Sequence, residues 1–359
     1  MTSDEIKAHQ KLERRQLLTR ILEDSSRKKL IVAGAGTGKT FIFREVLKQK
    51  ANGKNLALTF IRKLVDEIHP MLQEYAEVKT FHAYCKKILH EIYGTVDLAS
   101  YLTNVIEKDA ALLGLDLKDF DTKIQNLEGS SPEIDFYLHR GNFYKVISFN
   151  DSVYRLYRIL QERQDVLPTF DQIVIDEFQD FNPLEVAFIA ALEKKGPVLI
   201  VGDDDQAVYD GRSASPDHLR AKYRSGEYTK LDLPFCSRCP EVIVNATNSF
   251  IQRACALGHL RGRIAKRYEC YLEDKEKDSL KYPKIRVAEC TVPSVVAKYI
   301  ANAVAQIDPA DIAESYQKGQ EYPTVLVAGQ RHYLGKIAEV LKKTYPQVTY
   351  SPSQNWATE

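Results

Sequence analysis

The run Ala33-Gly34-Ala35-Gly36-Thr37-Gly38-Lys39-Thr40 directly follows the apolar stretch Leu30-Ile31-Val32. Residues of these types in this order hold a nucleoside triphosphate. Glycines let the main chain wrap closely enough to aim N–H groups at phosphate oxygens, so Ala35, Gly36, Thr37 and Gly38 are expected to offer backbone amides. Lys39 is spaced to neutralise the β- and γ-phosphates and Thr40 to ligate Mg²⁺ through its hydroxyl, with the positive end of a helix over about 39–50 behind them. The usual first glycine of the pattern is Ala33. A second constellation lies far along the chain, at Ile173-Val174-Ile175-Asp176-Glu177-Phe178-Gln179-Asp180. An apolar strand ending in adjacent acids supplies one carboxylate, Asp176, for the metal's water shell and another, Glu177, to polarise an attacking water. Alone, these residues equally describe a strand running into a solvated acidic turn; joined to the phosphate loop, they describe a Mg²⁺-dependent nucleotide hydrolase.

The elements that must position these residues read as parallel α/β. Short β-rich runs recur at Leu30–Val32, Leu56–Phe60, Gln172–Ile175, Val198–Val201, Ile285–Ala288 and Thr324–Ala328, with helical patterns between most of them. The block Glu91–Leu167 breaks this rhythm. It is rich in Tyr, Leu and charge, and its segments 98–116 and 150–164 read as helices, so it is expected to be a helical insertion into the first α/β domain. Further helices are expected at 241–252, 292–307 and 334–343, and Tyr271–Lys284 reads as a linker or a solvated helix.

Composition limits the partners. At 359 residues, 44% hydrophobic and 28% charged, the chain is globular and long enough for about two domains. A net charge of +1 gives no whole-molecule field for nucleic acid, so a polyanion site must be a local groove. No apolar run approaches the roughly 18 residues of a membrane span, and the charged N-terminus lacks a signal peptide's apolar core. A cytoplasmic location is expected. Among the six cysteines, Cys236, Cys239 and Cys255 with His259 have a spacing that suits zinc. The intervening helix would hold the two pairs apart, and reduced thiols are the default expectation in a cytoplasmic chain.

The motifs together resemble the superfamily 1 DNA helicases of the UvrD, Rep and PcrA type. Asp176-Glu177-Phe178-Gln179-Asp180 is followed by Val201-Gly202-Asp203-Asp204-Asp205-Gln206-Ala207-Val208-Tyr209, and other blocks fall in the family's order. Thr59-Phe60-Ile61-Arg62-Lys63 resembles its DNA-contacting motif, Thr80-Phe81-His82 the next short motif, and Arg238-Cys239-Pro240-Glu241-Val242-Ile243 the block that opens the second motor lobe. Gln16, set somewhat further from Lys39 than in the family, matches the glutamine that reads adenine; Gln10 is the weaker match.

The resemblance implies a P-loop NTPase with a first RecA-like lobe at 1–90 and 168–235, the insertion at 91–167 and a partial second lobe at 236–359. It implies ATP and Mg²⁺ as cofactors, Glu177, Gln206 and Arg238 as catalytic residues, and single-stranded DNA as partner. Phe60, Phe81 and Tyr209 are expected to stack on bases, with core packing as the alternative for each. Arg62, Lys63, His82 and Arg212 are expected to meet DNA phosphates. Gln206 is implied to sense the γ-phosphate, and Arg238 to act as a finger toward it.

Departures from the family pattern matter as well. The family's Gly-Trp-Arg after Tyr209 is Asp210-Gly211-Arg212 here, its Asn-Tyr-Arg is Cys236-Ser237-Arg238, and the common arginine after Thr40 is Phe41. One DNA platform and one adenine-stacking ring are therefore missing. The chain ends two β-α units into the second lobe, so a truncated lobe completed by a partner or by self-association is expected. The favoured reading is an ATP-dependent translocase or helicase, 3′–5′ in direction, serving DNA repair, recombination or phage defence. An ATP-binding switch module of helicase descent is the alternative, and a different P-loop enzyme such as a nucleotide kinase is a third.

Overall fold

The computed structural model of the protein describes residues 2–59, 69–129, 131–207, 213–290, 292–310, 313 and 331–345. The strands, in chain order, are β1 (Lys28–Val32), β2 (Asn55–Thr59), β3 (Glu77–Thr80), β4 (Asp97–Leu98), β5 (Val146–Ile147), β6 (Gln172–Ile175), β7 (Val198–Gly202), β8 (Thr229–Leu231), β9 (Phe235–Cys236) and β10 (Glu269–Cys270). The helices from the start to the end of the inserted block are α1 (Ser3–Glu23), α2 (Lys39–Lys48), α3 (Phe81–Tyr93), α4 (Leu102–Leu112), α5 (Phe120–Gln125), α6 (Pro132–Tyr144) and α7 (Phe149–Glu162). They continue as α8 (Pro183–Leu192), α9 (Pro216–Arg224), α10 (Glu241–Ala256), α11 (Leu272–Lys281), α12 (Pro293–Ala305) and α13 (Arg331–Thr344).

Six strands form one parallel sheet in the order β3-β2-β6-β7-β1-β8. Its middle strands are apolar without interruption because both faces are covered. Along β1, Leu30 and Val32 point into one core while Ile31 points into the other, the alternation that the pleat imposes. On the Ile31 face, Ile42, Phe43, Val46 and Leu47 of α2 pack with Ile21 of α1. The opposite core continues without a break from the sheet through α3 and α8 into the helical block, where Ile106, Phe120, Tyr137 and Leu156 are buried. Pairing in register sets Val32 beside Gly202 and Ile175 beside Ile200. The loops after β6, β7 and β1 therefore leave the carboxyl edge of the sheet side by side, where open α/β sheets place their ligands.

Two strands of this sheet, β3 and β8, have no counterpart in the sequence reading, and neither do the two-residue strands β4, β5, β9 and β10 outside it. β3 and β8 are short edge strands bearing lysines, and a half-solvated edge neither needs nor carries the continuous apolar run of a central strand. The strand expected at Ile285–Ala288 does not form: residues 282–290 have no regular structure, and Val287 is 92% exposed. No described neighbour offers it a ladder. The strand expected at Thr324–Ala328 lies outside the described residues.

The chain divides into two compact units, Met1–Ile285 and Arg286–Glu359. In the second, α12 packs on α13 around Ala297, Ile337 and Leu341. Within the first, the charged stretch after Tyr271 is a helix held to α1 by polar contacts. Lys7 pairs with Glu276, Lys11 with Glu273 at 2.8 Å and Arg14 with Asp274 at 3.6 Å. Cys239 lies next to Cys236, whereas Cys255 is exposed near the far end of α10. Among the described residues, no helix is long and apolar enough to cross a membrane.

Candidate functional site

Three adjacent strands each end in a loop that contributes to one site. The loop after β1 turns through Gly36 (φ +72°) and Gly38 (φ +93°), left-handed conformations that a side chain would strain, and then enters α2 at Lys39. The Thr37 hydroxyl donates to Gly34 O at 3.0 Å, so it braces the loop from within. The outer wall comes from later in the chain. Tyr268 packs its ring on Gly34 and donates its hydroxyl to Ala35 O at 3.0 Å. Ser237 N–H donates to Gly36 O at 2.9 Å, and a Cβ on Gly36 would overlap Arg238 Cβ. Glycine at 36 is thus demanded by close approach as well as by the loop's own curvature, glycine at 34 by the close approach of Tyr268, and glycine at 38 by curvature.

The acids arrive from β6. Asp176 is buried at the end of the strand, and Glu177 adopts the left-handed region (φ +51°, ψ +46°), unusual for a residue with a side chain. That turn aims its carboxylate at Lys39, whose Nζ lies 2.9 Å from Oε1 and 3.0 Å from Oε2. Burial acts to lower the Lys39 pKa, but the charges of Asp176, Glu177 and Asp203 outweigh it and hold the ammonium protonated. Burial, reinforced by the neighbouring Glu177 charge, pushes Asp176 above the usual carboxylate range against the opposing pull of Lys39. A buried carboxylate short of positive charge fits a cation binding beside it, so the donor set suits Mg²⁺ with Asp176 and Thr40 as its protein side.

Gln179 joins the second and third loops, a role that its place within the acidic motif did not disclose. Its Nε2 donates to Glu177 Oε2 at 2.9 Å, and its Oε1 accepts from Asp203 N–H at 2.9 Å. Gly202 makes this possible, because a Cβ there would come within 2.9 Å of the same Oε1. Gln206 donates its side-chain amide to Asp203 Oδ2, so it reaches the acid pair through Asp203 and Gln179.

Lys39, Asp176, Glu177 and Gln206 are therefore brought together around the Ala35–Thr40 loop, with Arg238 exposed beside Gly36. Gln16 is exposed on α1. Gln10, six residues earlier, is buried and engaged, donating to Cys270 O at 3.0 Å and accepting from Leu272 N–H at 3.1 Å.

Two expectations for DNA contact require correction. Phe81 is fully buried, its ring 5.4 Å from that of Phe181 and 5.1 Å from that of Phe188, so it packs in the core and presents no face to a base. His82 is also buried, against Phe149 and 3.5 Å from Glu185, where it cannot meet a phosphate. Both begin a helix whose apolar face closes on the sheet, and three-residue motif similarity carried no information on which face they would occupy. Phe60, Arg62, Lys63, Tyr209 and Arg212 lie outside the described residues.

Residues 20–212 match the family described as AAA domain. DNA helicase II of Haemophilus influenzae is 26% identical over 275 residues, covering 62% of this chain and 38% of that protein. A probable DNA helicase II homolog of Mycoplasma capricolum is 22% identical over 335 residues, 77% of this chain and 44% of that protein. ATP-dependent DNA helicase Rep of Buchnera aphidicola is 23% identical over 375 residues, 88% of this chain and 54% of that protein. The chain spans about half the length, or less, of these curated relatives.

Proposed function

Since the chain belongs to the AAA domain family and is a UvrD-like superfamily 1 helicase chain, we propose that it hydrolyses ATP and couples that hydrolysis to movement along single-stranded DNA. The observation that carries this reading is the convergence of Lys39, Asp176, Glu177, Gln179 and Asp203 at the carboxyl edge of three adjacent parallel strands. Such a set does what phosphoryl transfer to water needs, which is to position and to stabilise charge.

Each residue has a defined task in this proposal. Bound Mg²⁺ supplies positive charge to the phosphates, and Asp176 and Thr40 are the residues suited to hold it. Lys39 gives up the Glu177 carboxylate for phosphate oxygens, and Glu177, released, accepts a hydrogen bond from the attacking water. Gln179 keeps the Glu177 carboxylate oriented while Gln206 carries the state of the site toward DNA. Arg238 is the finger that meets developing charge on the γ-phosphate. Phe60 and Tyr209 stack on bases, and Arg62, Lys63 and Arg212 hold the strand's phosphates. Residues 1–90 with 168–235 act as the first RecA-like lobe, 91–167 as its helical insertion and 236–359 as part of the second. Movement is 3′–5′, in the service of repair, recombination or phage defence.

An ATPase assay with and without single-stranded DNA tests the reading. Turnover that rises with DNA supports it. ATP turnover indifferent to DNA would leave only a nucleotide-binding switch, and failure to bind ATP would remove the site assignment altogether.

A further inference from the structure

The loop after β7 carries Asp203, Asp204 and Asp205, whose carboxylate oxygens lie within 4.8 Å of one another. Three like charges so close together, those of Asp203 and Asp204 buried and that of Asp205 half-buried, repel strongly unless cations are built in. Those cations come from one later segment and one helix. Lys266 Nζ lies 2.6 Å from Asp203 Oδ1, 3.0 Å from Asp204 Oδ1 and 2.5 Å from Asp205 Oδ2. Arg263 forks onto Asp205 through Nε at 2.8 Å and Nη2 at 2.9 Å, while Arg220 Nε and the Ile264 N–H reach Asp204 Oδ2 at 3.0 and 2.9 Å. Among the described residues, Lys266 alone touches all three aspartates, and its side chain is only 8% exposed. The ammonium therefore stands where a metal ion would otherwise be drawn.

The consequence runs through Asp203. Its carboxylate is shared between Lys266 and the Gln206 amide, and its backbone N–H holds Gln179, which in turn holds Glu177. Two residues beyond Lys266, Tyr268 is seated on the phosphate loop. One short segment thus grips both walls of the nucleotide site. It is anchored in turn by Gln10, which holds Cys270 and Leu272.

We propose that Lys266 is a positioning residue for hydrolysis: by neutralising the Asp203–Asp205 loop from within, it fixes Gln206 and, through Gln179, the orientation of Glu177. The proposal rests on the ATPase reading above for its kinetic consequence, and on the loop itself for its structural one.

Two measurements on the full chain separate the two. In Lys266→Met, amide hydrogen exchange over residues 203–207 is expected to quicken at least ten-fold while exchange in β1 stays as in the wild type, which shows the variant is folded. ATP turnover is expected to drop by about 30-fold or more with ATP affinity changed less than three-fold, because Lys39 and the glycine loop are untouched. Lys266→Arg, which keeps the charge, should retain more turnover than Lys266→Met. Unchanged exchange over 203–207 in Lys266→Met overturns the proposal, as does wild-type turnover in that variant. If exchange quickens but the wild type itself shows no ATPase, the loop-fixing role stands and the hydrolytic reading is the part that fails. Should Lys266→Met not fold, Lys266→Gln takes its place in the same comparison.

Discussion

Glu177 shows how much one residue's backbone decides. Its left-handed conformation costs energy that ordinary strand ends avoid, and the return is a carboxylate turned onto Lys39 rather than into solvent. Glu177→Gln is expected to bind ATP as the wild type does and to lose hydrolysis by 100-fold or more, read as equal nucleotide affinity beside single-turnover rates. Normal turnover in that variant would remove Glu177 from its role. Lys39→Ala is expected to lose most ATP affinity, since Lys39 is the cation that the phosphate loop itself supplies. Phe81 gives the opposite lesson. Buried among Phe181 and Phe188, it belongs to stability, so Phe81→Ala should lower the unfolding free energy by about 3–5 kcal/mol in a denaturant titration.

At the scale of elements, the helical block carries a charge in an unfavourable place. Asp151 of α7 is fully buried, and burial pushes its carboxyl from 3.8 up to about 6 even though Arg155 pairs with it at 2.7 Å and works the other way. Asp121 adds to the upward shift. A carboxyl whose folded pKa exceeds its unfolded value stabilises the fold most below about pH 4, and that contribution is lost as pH rises through about 6. The shift corresponds to roughly 3 kcal/mol. Asp151→Asn, which retains an acceptor for Arg155, should therefore gain stability relative to the wild type as pH rises from 5 to 8, followed by thermal melts across that range. A difference between the two proteins that does not change with pH would refute the assignment. The clasp between α1 and α11 is of another kind, because its ion pairs are at least partly exposed and salt will screen them.

For the whole molecule, the proposal predicts coupling between sites that no single residue reveals. ATP turnover should rise on addition of single-stranded DNA, and the stimulation should weaken with rising salt, since phosphate contacts release counterions. Phe60→Ala should weaken DNA binding by about 1–3 kcal/mol, the worth of one stacked base, with ATP affinity in the absence of DNA unchanged. Equal DNA affinity for wild type and variant, measured by fluorescence anisotropy, would refute the stacking role.

The nucleotide loop, the acid pair and the central strands β1, β2, β6 and β7 were legible in the residues because each is a local constraint: glycine freedom, charge at a fixed spacing, an unbroken apolar run buried on both faces. Edge strands β3 and β8 were not, since half-solvated edges have no such signature. Nor were Gln179 and Lys266, whose partners lie far off in the chain. Sequence order fixed what chemistry the loops could carry. Only the parallel register of β6, β7 and β1 set those loops side by side, and only the folded chain could bring a lysine from residue 266 between three aspartates that would otherwise repel one another.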